Sequence, residues 1–483
     1  MTSSRLLPRL CVATLACALG ACAVGPDFNT PAPPDTDHWT AGPTVASLPA
    51  ADGASQQLVS SELAPEHWWT LFGSRQINDW VDQALAHNQN LLQAKASLQQ
   101  AQEQLNAETG ATQYPQVDLK VGAQRQKIDL AAFGITNVPS PPPFNLYNVS
   151  LNVAYTFDLF GANRRQLEAL SATVDYQAFE LQAARLAVAG NVVTAAIRLA
   201  AVRSQLETTQ QLLATQRQQL QIMQQRLGAG GIAVLDIHNQ QALLAQTDAA
   251  LPPLQKQASQ LEHQLAVYLG VPPAKLAVGD LTLHEITLPA NLPLTVPSAM
   301  ARQRPDIRAA EALLHQASAQ VGVATANLYP QLTLSGSIGS ERTGAHDLTN
   351  GLNVWNIGLG LMQPLFHGGE LQARKRGAQA AWQGATAAYQ QTVLTGLQQV
   401  ADALTAIDAD SSTLAARNQV RAQNDAILQT TRARYAAGGV SMMQLLDSQR
   451  QQQQSALDEI STRADRLADS AALIQALGGG TGS

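Results

Sequence analysis

The sequence predicts an α+β membrane protein: a β-barrel to which several chains each contribute four strands, continuous with a long α-helical coiled-coil tube. Three observations predict this. Two long stretches without proline, one from Pro143 to Pro252 and one after Pro364, carry apolar residues at spacings of three and four. Four shorter stretches switch to a period of two. The whole pattern then occurs twice, as an internal two-fold sequence repeat.

The helices come first. Between Gly161 and Leu227 the apolar positions include Leu167, Leu170, Val174, Leu181, Val188, Val192, Leu199, Val202, Leu206, Leu213 and Leu220. From Glu370 to Tyr435 the pattern returns with Trp382, Ala385, Tyr389, Val393, Leu397, Val400, Leu404, Ile407 and Leu414. Leu457, Ile460, Ala464, Leu467, Ala471 and Ile474 alternate three and four apart, which is a coiled-coil seam. A helix of about 65 residues runs roughly 100 Å at 1.5 Å per residue. No ordinary globular core needs a rod of that length.

The strands follow from alternation. "PQVDLKVGAQRQ" sets Val117, Leu119, Val121 and Ala123 against Asp118, Lys120 and Gln124. "NVSLNVAYTFDLF" sets Val149, Leu151, Val153, Tyr155 and Phe157 against Ser150, Asn152, Thr156 and Asp158. "PQLTLSGSIGS" and "VWNIGLGLMQPLF" continue the scheme with Leu332, Leu334 and Ile338, then Trp355, Ile357, Leu359 and Leu361. Each has about the 9–11 residues of a tilted transmembrane strand. A soluble antiparallel sheet with one wet face gives the same alternation. Missing disulfides, a lipidation signal and the paired arrangement favour the membrane. Four strands cannot close a membrane barrel, since an open edge in lipid leaves backbone groups unpaired at several kcal/mol each. Single-chain barrels start at about eight strands. A closed ring of several protomers satisfies both the strands and the apolar helix seams.

The repeat is legible at its junctions. "TGATQYPQVDL" matches "ATANLYPQLTL", and "FDLFGANRRQLEA" matches "QPLFHGGELQARK". "RLGAGGIAVLDIHNQQ" is echoed 208 positions later by "RYAAGGVSMMQLLDSQRQ", each the tip of a helical hairpin. The chain therefore divides into a signal peptide (1–21), a lipidated N-terminal segment and equatorial wrap (22–74), a first repeat (75–270), an equatorial linker (271–304), a second repeat (305–478) and a tail (479–483). Within the first repeat, helix 90–113 leads to strand hairpin 115–158, long helix 161–227, tip 227–232 and one helix over 233–270. Within the second, helix 305–328 leads to strand hairpin 330–365, long helix 369–435, tip 435–440 and helix 441–477.

The ends and the composition agree. Arg5 and Arg9 precede the short apolar core "LCVATLACALGA", a secretion signal. Leu19-Gly20-Ala21-Cys22 resembles the bacterial lipobox, in which the cysteine is acylated and becomes the first mature residue; the other reading is an ordinary signal peptide with an incidental cysteine. Cys11 and Cys17 leave with the signal, so no disulfide or thiolate metal site remains. No apolar stretch of about 20 residues follows, so no transmembrane helix is expected and membrane insertion falls to strands or lipid. A mild net charge of −6 argues against a nucleic-acid surface. The nine histidines are scattered without metal-ligand spacing, and "GAGG" lacks the Lys and Ser/Thr of a phosphate loop. No enzyme and no cofactor are expected beyond the covalent lipid on Cys22.

Several motifs together carry a family resemblance: "VGPDF" after the cysteine, "HWWTLFG", "DQALAHNQNL", "RQRPDIRAAEALLHQASAQVGVATANLYPQLTL", "LFHGG", and "RYAAGG" followed by "LLDSQR". The sequence resembles the TolC-like outer-membrane efflux factors, in particular their lipoprotein branch of the OprM and NodT type. The resemblance implies a homotrimer with a twelve-stranded barrel in the outer membrane and a periplasmic helical tube. It implies a periplasmic adaptor protein and an inner-membrane pump of the RND or major-facilitator kind as partners. The chain itself would be a gated conduit for small molecules. An exit duct for type I protein secretion shares the fold and is the alternative.

The resemblance also implies site residues. Met443, Asp447 and Arg450 match the family's inward-facing gate, and their spacing of four and three puts them on one helical face. The first-repeat counterparts are Leu235 and Asn239, so the latch is asymmetric. Some members carry an acid where Gln444 stands here. From spacing alone Asp447 and Arg450 read as a surface i,i+3 ion pair, worth roughly a few tenths of a kcal/mol. The tips, with Arg226, Gly228, Gly230, Gly231, Arg434, Gly438 and Gly439, are the implied adaptor-docking surface. Their glycines also read simply as helix terminators. His367, where the family often has Asp, is expected to cap a helix at the barrel base.

Overall fold

The computed structural model describes residues 23–480, apart from 33, 37, 41, 43–47, 49–54 and 61–63. The expected signal peptide and Cys22 lie outside the described residues. In chain order the elements are β1 (Gln57–Ser60), α1 (Arg75–His87), α2 (Gln89–Gln113), β2 (Gln116–Gln126), β3 (Phe144–Phe157), α3 (Ala162–Gly228), α4 (Val234–Ala249) and α5 (Leu251–Tyr268). There follow β4 (Asn291–Leu294), α6 (Pro297–Gln303), α7 (Pro305–Ala326), β5 (Gln331–Arg342), β6 (Val354–Met362), α8 (Glu370–Ala436) and α9 (Met442–Ala476). They fall into two compact units. One takes in the described residues up to Thr30, Ser97–Gln177 and Ala310–Tyr389; the other takes in the rest.

The first unit holds an antiparallel sheet of order β2-β3-β5-β6. Its register keeps each row of side chains chemically uniform. Leu119 lies opposite Leu151, Leu151 opposite Ile338, and Ile338 opposite Trp355. One residue along, Asp118, Asn152, Ser337 and Asn356 form a polar row, with Asn356 Nδ2 donating to Ser337 Oγ at 2.8 Å. Alternation of period two therefore gives a sheet with one apolar and one polar face. The apolar face is bare: Leu119, Val121, Trp355, Ile357, Leu359 and Leu361 are each at least 66% exposed. β3 leads into α3 through Asp158, whose carboxylate accepts from Asn163 N (3.1 Å) and Arg164 N (2.8 Å). At the matching junction His367 caps α8 through its carbonyl, which accepts from Glu370 N at 3.0 Å, and not through its imidazole.

The second unit is built around α3. Val192, Val193, Ile197, Leu199 and Ala200 are buried among Trp68, Phe72, Ile77, Val81, Leu265, Val400, Leu467 and Ile474. This bears on one expectation, that no apolar stretch of about 20 residues follows the signal, which is corrected without making α3 a transmembrane helix. By length and composition α3 is apolar enough to cross a bilayer, and most of its apolar window is buried, as befits the core helix of this unit. Gly190 lies in the same helix where an added methyl would overlap the Gln475 amide, which explains a helix-interior glycine. A second correction concerns 233–270. The chain forms two helices there, because Pro252 and Pro253 cannot donate to the carbonyls one turn back; the break falls at Ala250. β1 and β4 pair in parallel, Leu58 opposite Leu292, tying the N-terminal segment to residues 271–304.

Candidate functional site: the hairpin tips and a polar stripe

Both helical hairpins turn in the same way. After α3, Gly230 N donates to Leu227 O (2.9 Å) and Gly231 N to Arg226 O (2.8 Å). After α8, Gly438 N donates to Tyr435 O (3.0 Å) and Gly439 N to Arg434 O (2.8 Å). This is a Schellman closure, in which only the first glycine of each pair needs positive φ: 74° at Gly230 and 78° at Gly438. Gly228, Gly231 and Gly439 do not have positive φ, so that argument applies to Gly230 and Gly438 alone.

The helices after the tips start differently. Ser441 Oγ accepts from Gln444 N (3.3 Å), and Gln444 Oε1 accepts from Ser441 N (3.1 Å), a complete capping box. In the first hairpin Ala233 has no side-chain oxygen, and only the return bond forms, from Ala233 N to Asp236 Oδ2 at 3.3 Å. Asp236 thus faces back along its own helix start. Gln444 occupies the matching capping position.

Packing decides which face of α9 is left open. Met442, Leu445 and Leu446 are buried in an apolar cluster with Met223, Ile237, Leu243 and Leu428. The opposite face carries Met443, 51% exposed, then Asp447 and Arg450. Arg450 Nη2 donates to Asp447 Oδ1 at 2.6 Å within the one helix. From α4, Leu235 is 67% exposed and Asn239 half-buried. A groove of about 320 Å³ beside the tips is lined by Ile222, Met223, Arg226, Tyr435, Met442 and Leu445, among others. Among the described residues no group of three or more His, Cys, Asp or Glu is placed to hold a metal.

A family model described as "Outer membrane efflux protein" matches residues 80–271 and 296–479, most of the chain. The chain belongs to the outer membrane efflux protein family. Members are channel proteins and not enzymes, and this efflux protein is accordingly an outer-membrane component of an efflux system. The pyoverdine export outer membrane protein OpmQ of Pseudomonas putida is 28% identical over 479 residues, 98% of each chain. Nodulation protein T of Rhizobium leguminosarum bv. viciae is 29% identical, covering 92% of this chain and 87% of that protein, in keeping with the OprM and NodT type. The solved outer-membrane channel OprN superposes with a TM-score of 0.83 at 29% identity, over 95% of this chain and 99% of that one.

Two constellations of this efflux protein escaped sequence reasoning. In the first unit Arg165, its side chain 6% exposed, meets Asp27 at 2.5 Å and Glu168 at 2.7 Å. Glu168 also meets His315 Nε2 at 2.9 Å, and Phe28 stacks on that imidazole. Burial pulls the Arg165 guanidinium down, but the two carboxylates outweigh it and leave it raised. Burial likewise pushes Glu168 up, and the hydrogen bonds from Arg165 and His315 overturn that, so it is held low. The "VGPDF" segment is thereby clamped to α3 and α7. In the second unit Asp410 of α8 faces Asp465 and Asp469 of α9. "VGPDF" flagged the first constellation without showing its partners; nothing in the sequence flags the second.

Proposed function

We propose that three copies of the chain close a twelve-stranded barrel in the outer membrane, and that their helices form a periplasmic tube through which small molecules leave. The observation that carries this is the open sheet, whose edge strands β2 and β6 have no outer strand partner among the described residues and lie beside a bare apolar face. Unpaired backbone in hydrocarbon costs several kcal/mol per group, and four strands are too few to close alone. Internal duplication accounts for the order of elements, since each half runs from a strand hairpin through a 67-residue helix to a Schellman turn.

In that assembly Met443, Asp447 and Arg450 form the periplasmic gate, with Leu235 and Asn239 from the first hairpin. Symmetry copies bring the carboxylates and guanidiniums around one axis, where Asp447 attracts cations and its ion pair with Arg450 latches the closed state. The tips, with Arg226, Gly228, Gly230, Gly231, Arg434, Gly438 and Gly439, dock a periplasmic adaptor, and an inner-membrane RND or major-facilitator pump supplies the energy. Lipid on Cys22 anchors the N-terminus. Small molecules are the favoured cargo because relatives are named for export of pyoverdine, toluene and cations.

The test is Asp447→Ala combined with Arg450→Ala in planar bilayers. Single-channel conductance rises if the pair latches the gate. Conductance and cation preference unchanged from the parent remove both residues from it.

A further inference from the structure

The seam between protomers has a template inside the chain. Tyr114-Pro115-Gln116 is matched 215 positions on by Tyr329-Pro330-Gln331, and Leu159-Phe160 is matched 206 positions on by Leu365-Phe366. One junction of each kind meets within the chain. Phe160 stacks on Tyr329 with ring centroids 4.7 Å apart and 22° between planes. That contact accompanies the β3–β5 register, in which Tyr155 lies opposite Leu334 and Val153 opposite Gly336. The remaining two junctions are bare. Leu365 is 91% exposed, Phe366 87% and Tyr114 63%. They flank β6 and β2, the two edge strands. A pair of large apolar side chains this exposed at the end of an edge strand is a surface awaiting cover.

Carrying the internal register over by the same offsets converts Tyr155 and Leu334 into Leu361 and Leu119, and Val153 and Gly336 into Leu359 and Val121. We infer that β6 of one protomer pairs antiparallel with β2 of its partner, setting Leu361 opposite the partner's Leu119 and Leu359 opposite the partner's Val121, and that Phe366 stacks on the partner's Tyr114. This rests on the multi-chain barrel proposed above and fixes its register.

The faces provide an independent check. Leu359 and Leu361 share the apolar row with Leu334 and Leu332, and Leu119 and Val121 share it with Leu151 and Val149. The transferred register therefore joins apolar row to apolar row. A one-residue slip sets Leu361 opposite the partner's Asp118 or Lys120 and turns every side chain of β6 to the wrong face. A two-residue slip keeps the faces and breaks the ring contact. Face and ring together leave one register.

The three cysteines, Cys11, Cys17 and Cys22, all precede residue 23 and so come before β1 in the chain, and a parent chain without introduced cysteines serves as the cross-linking baseline. Directly opposed Cβ atoms lie about 4.5–5.5 Å apart, close enough for a disulfide after small adjustment. Leu359→Cys with Val121→Cys, in the full-length protein in outer-membrane preparations, is expected to give reducible covalent dimers and trimers on oxidation. Leu359→Cys with Leu119→Cys, and Leu359→Cys with Ala123→Cys, stand two residues out of register and are expected to give little. Preferential cross-linking of an offset pair overturns the register and leaves the multi-chain barrel standing. Intact trimers by native mass with no cross-link in any pair also overturn it. Single subunits throughout sink the multi-chain barrel itself. The ring contact is read separately from the heat resistance of the trimer on gels. Phe366→Ala and Tyr114→Ala each lower it, and the double variant falls no further than either alone. Additive losses exclude the stacking.

Discussion

Asp410 shows how a single residue can tie the helical unit to pH. Burial first, then the carboxyls of Asp469 and Asp465, push it up to about 7, against the pull of Arg466. An ordinary aspartate sits near 3.8, so the folded chain binds this proton more tightly than the unfolded chain does. The stability this adds is complete below about pH 4 and is lost as pH rises through about 7. Asp410→Asn keeps a neutral side chain at every pH. It is expected to raise the unfolding temperature of the detergent-solubilised protein at pH 8 and to flatten its dependence between pH 4 and 7, as read by circular dichroism. A pH profile identical to the parent's rejects the shift. Glu168 has the opposite sign. Its folded-state acidity is strengthened by Arg165 and His315, so its contribution is present above its unfolded range and is lost as pH falls below it. Neither group stood out in the sequence, because the contacts that perturb them join positions as distant as Asp410 with Asp469 and Glu168 with His315. Spacing rules reach only about one helical turn.

Helix ends and hairpin tips were the most legible elements, since their signals are local. The two 67-residue helices end within one residue of the expected positions 227 and 435. The strands follow their period of two, and β3 starts earlier than expected, at Phe144. The expected single helix over 233–270 failed at a signal that was present, Pro252-Pro253, because apolar periodicity runs unbroken across it while backbone hydrogen bonding does not. At the tips, sequence treated all the glycines alike, whereas φ separates them. Gly228 is helical with open space around it, so Gly228→Ala is expected to gain roughly 0.5–1 kcal/mol. Gly438 sits at φ 78° with equally open space, so Gly438→Ala is expected to lose about 1 kcal/mol through backbone strain alone. Opposite shifts in chemical denaturation midpoint check this. Shifts of the same sign contradict the assignment of the closure to Gly230 and Gly438.

For the whole molecule, the deciding fact is incompleteness. A sheet of order β2-β3-β5-β6 with an apolar face and two open edges is not a finished membrane structure. That incompleteness could be read from the sequence, because four alternating stretches are fewer than any single-chain barrel uses. What closes the sheet could not be read from alternation, which fixes the faces of a strand and not its neighbours. The number of protomers came only from family resemblance. The measurement that decides is the native mass of the lipid-reconstituted protein, taken together with its conductance in planar bilayers. Three chains surrounding a conducting pore is the expected result. A stable single subunit that carries no current contradicts it.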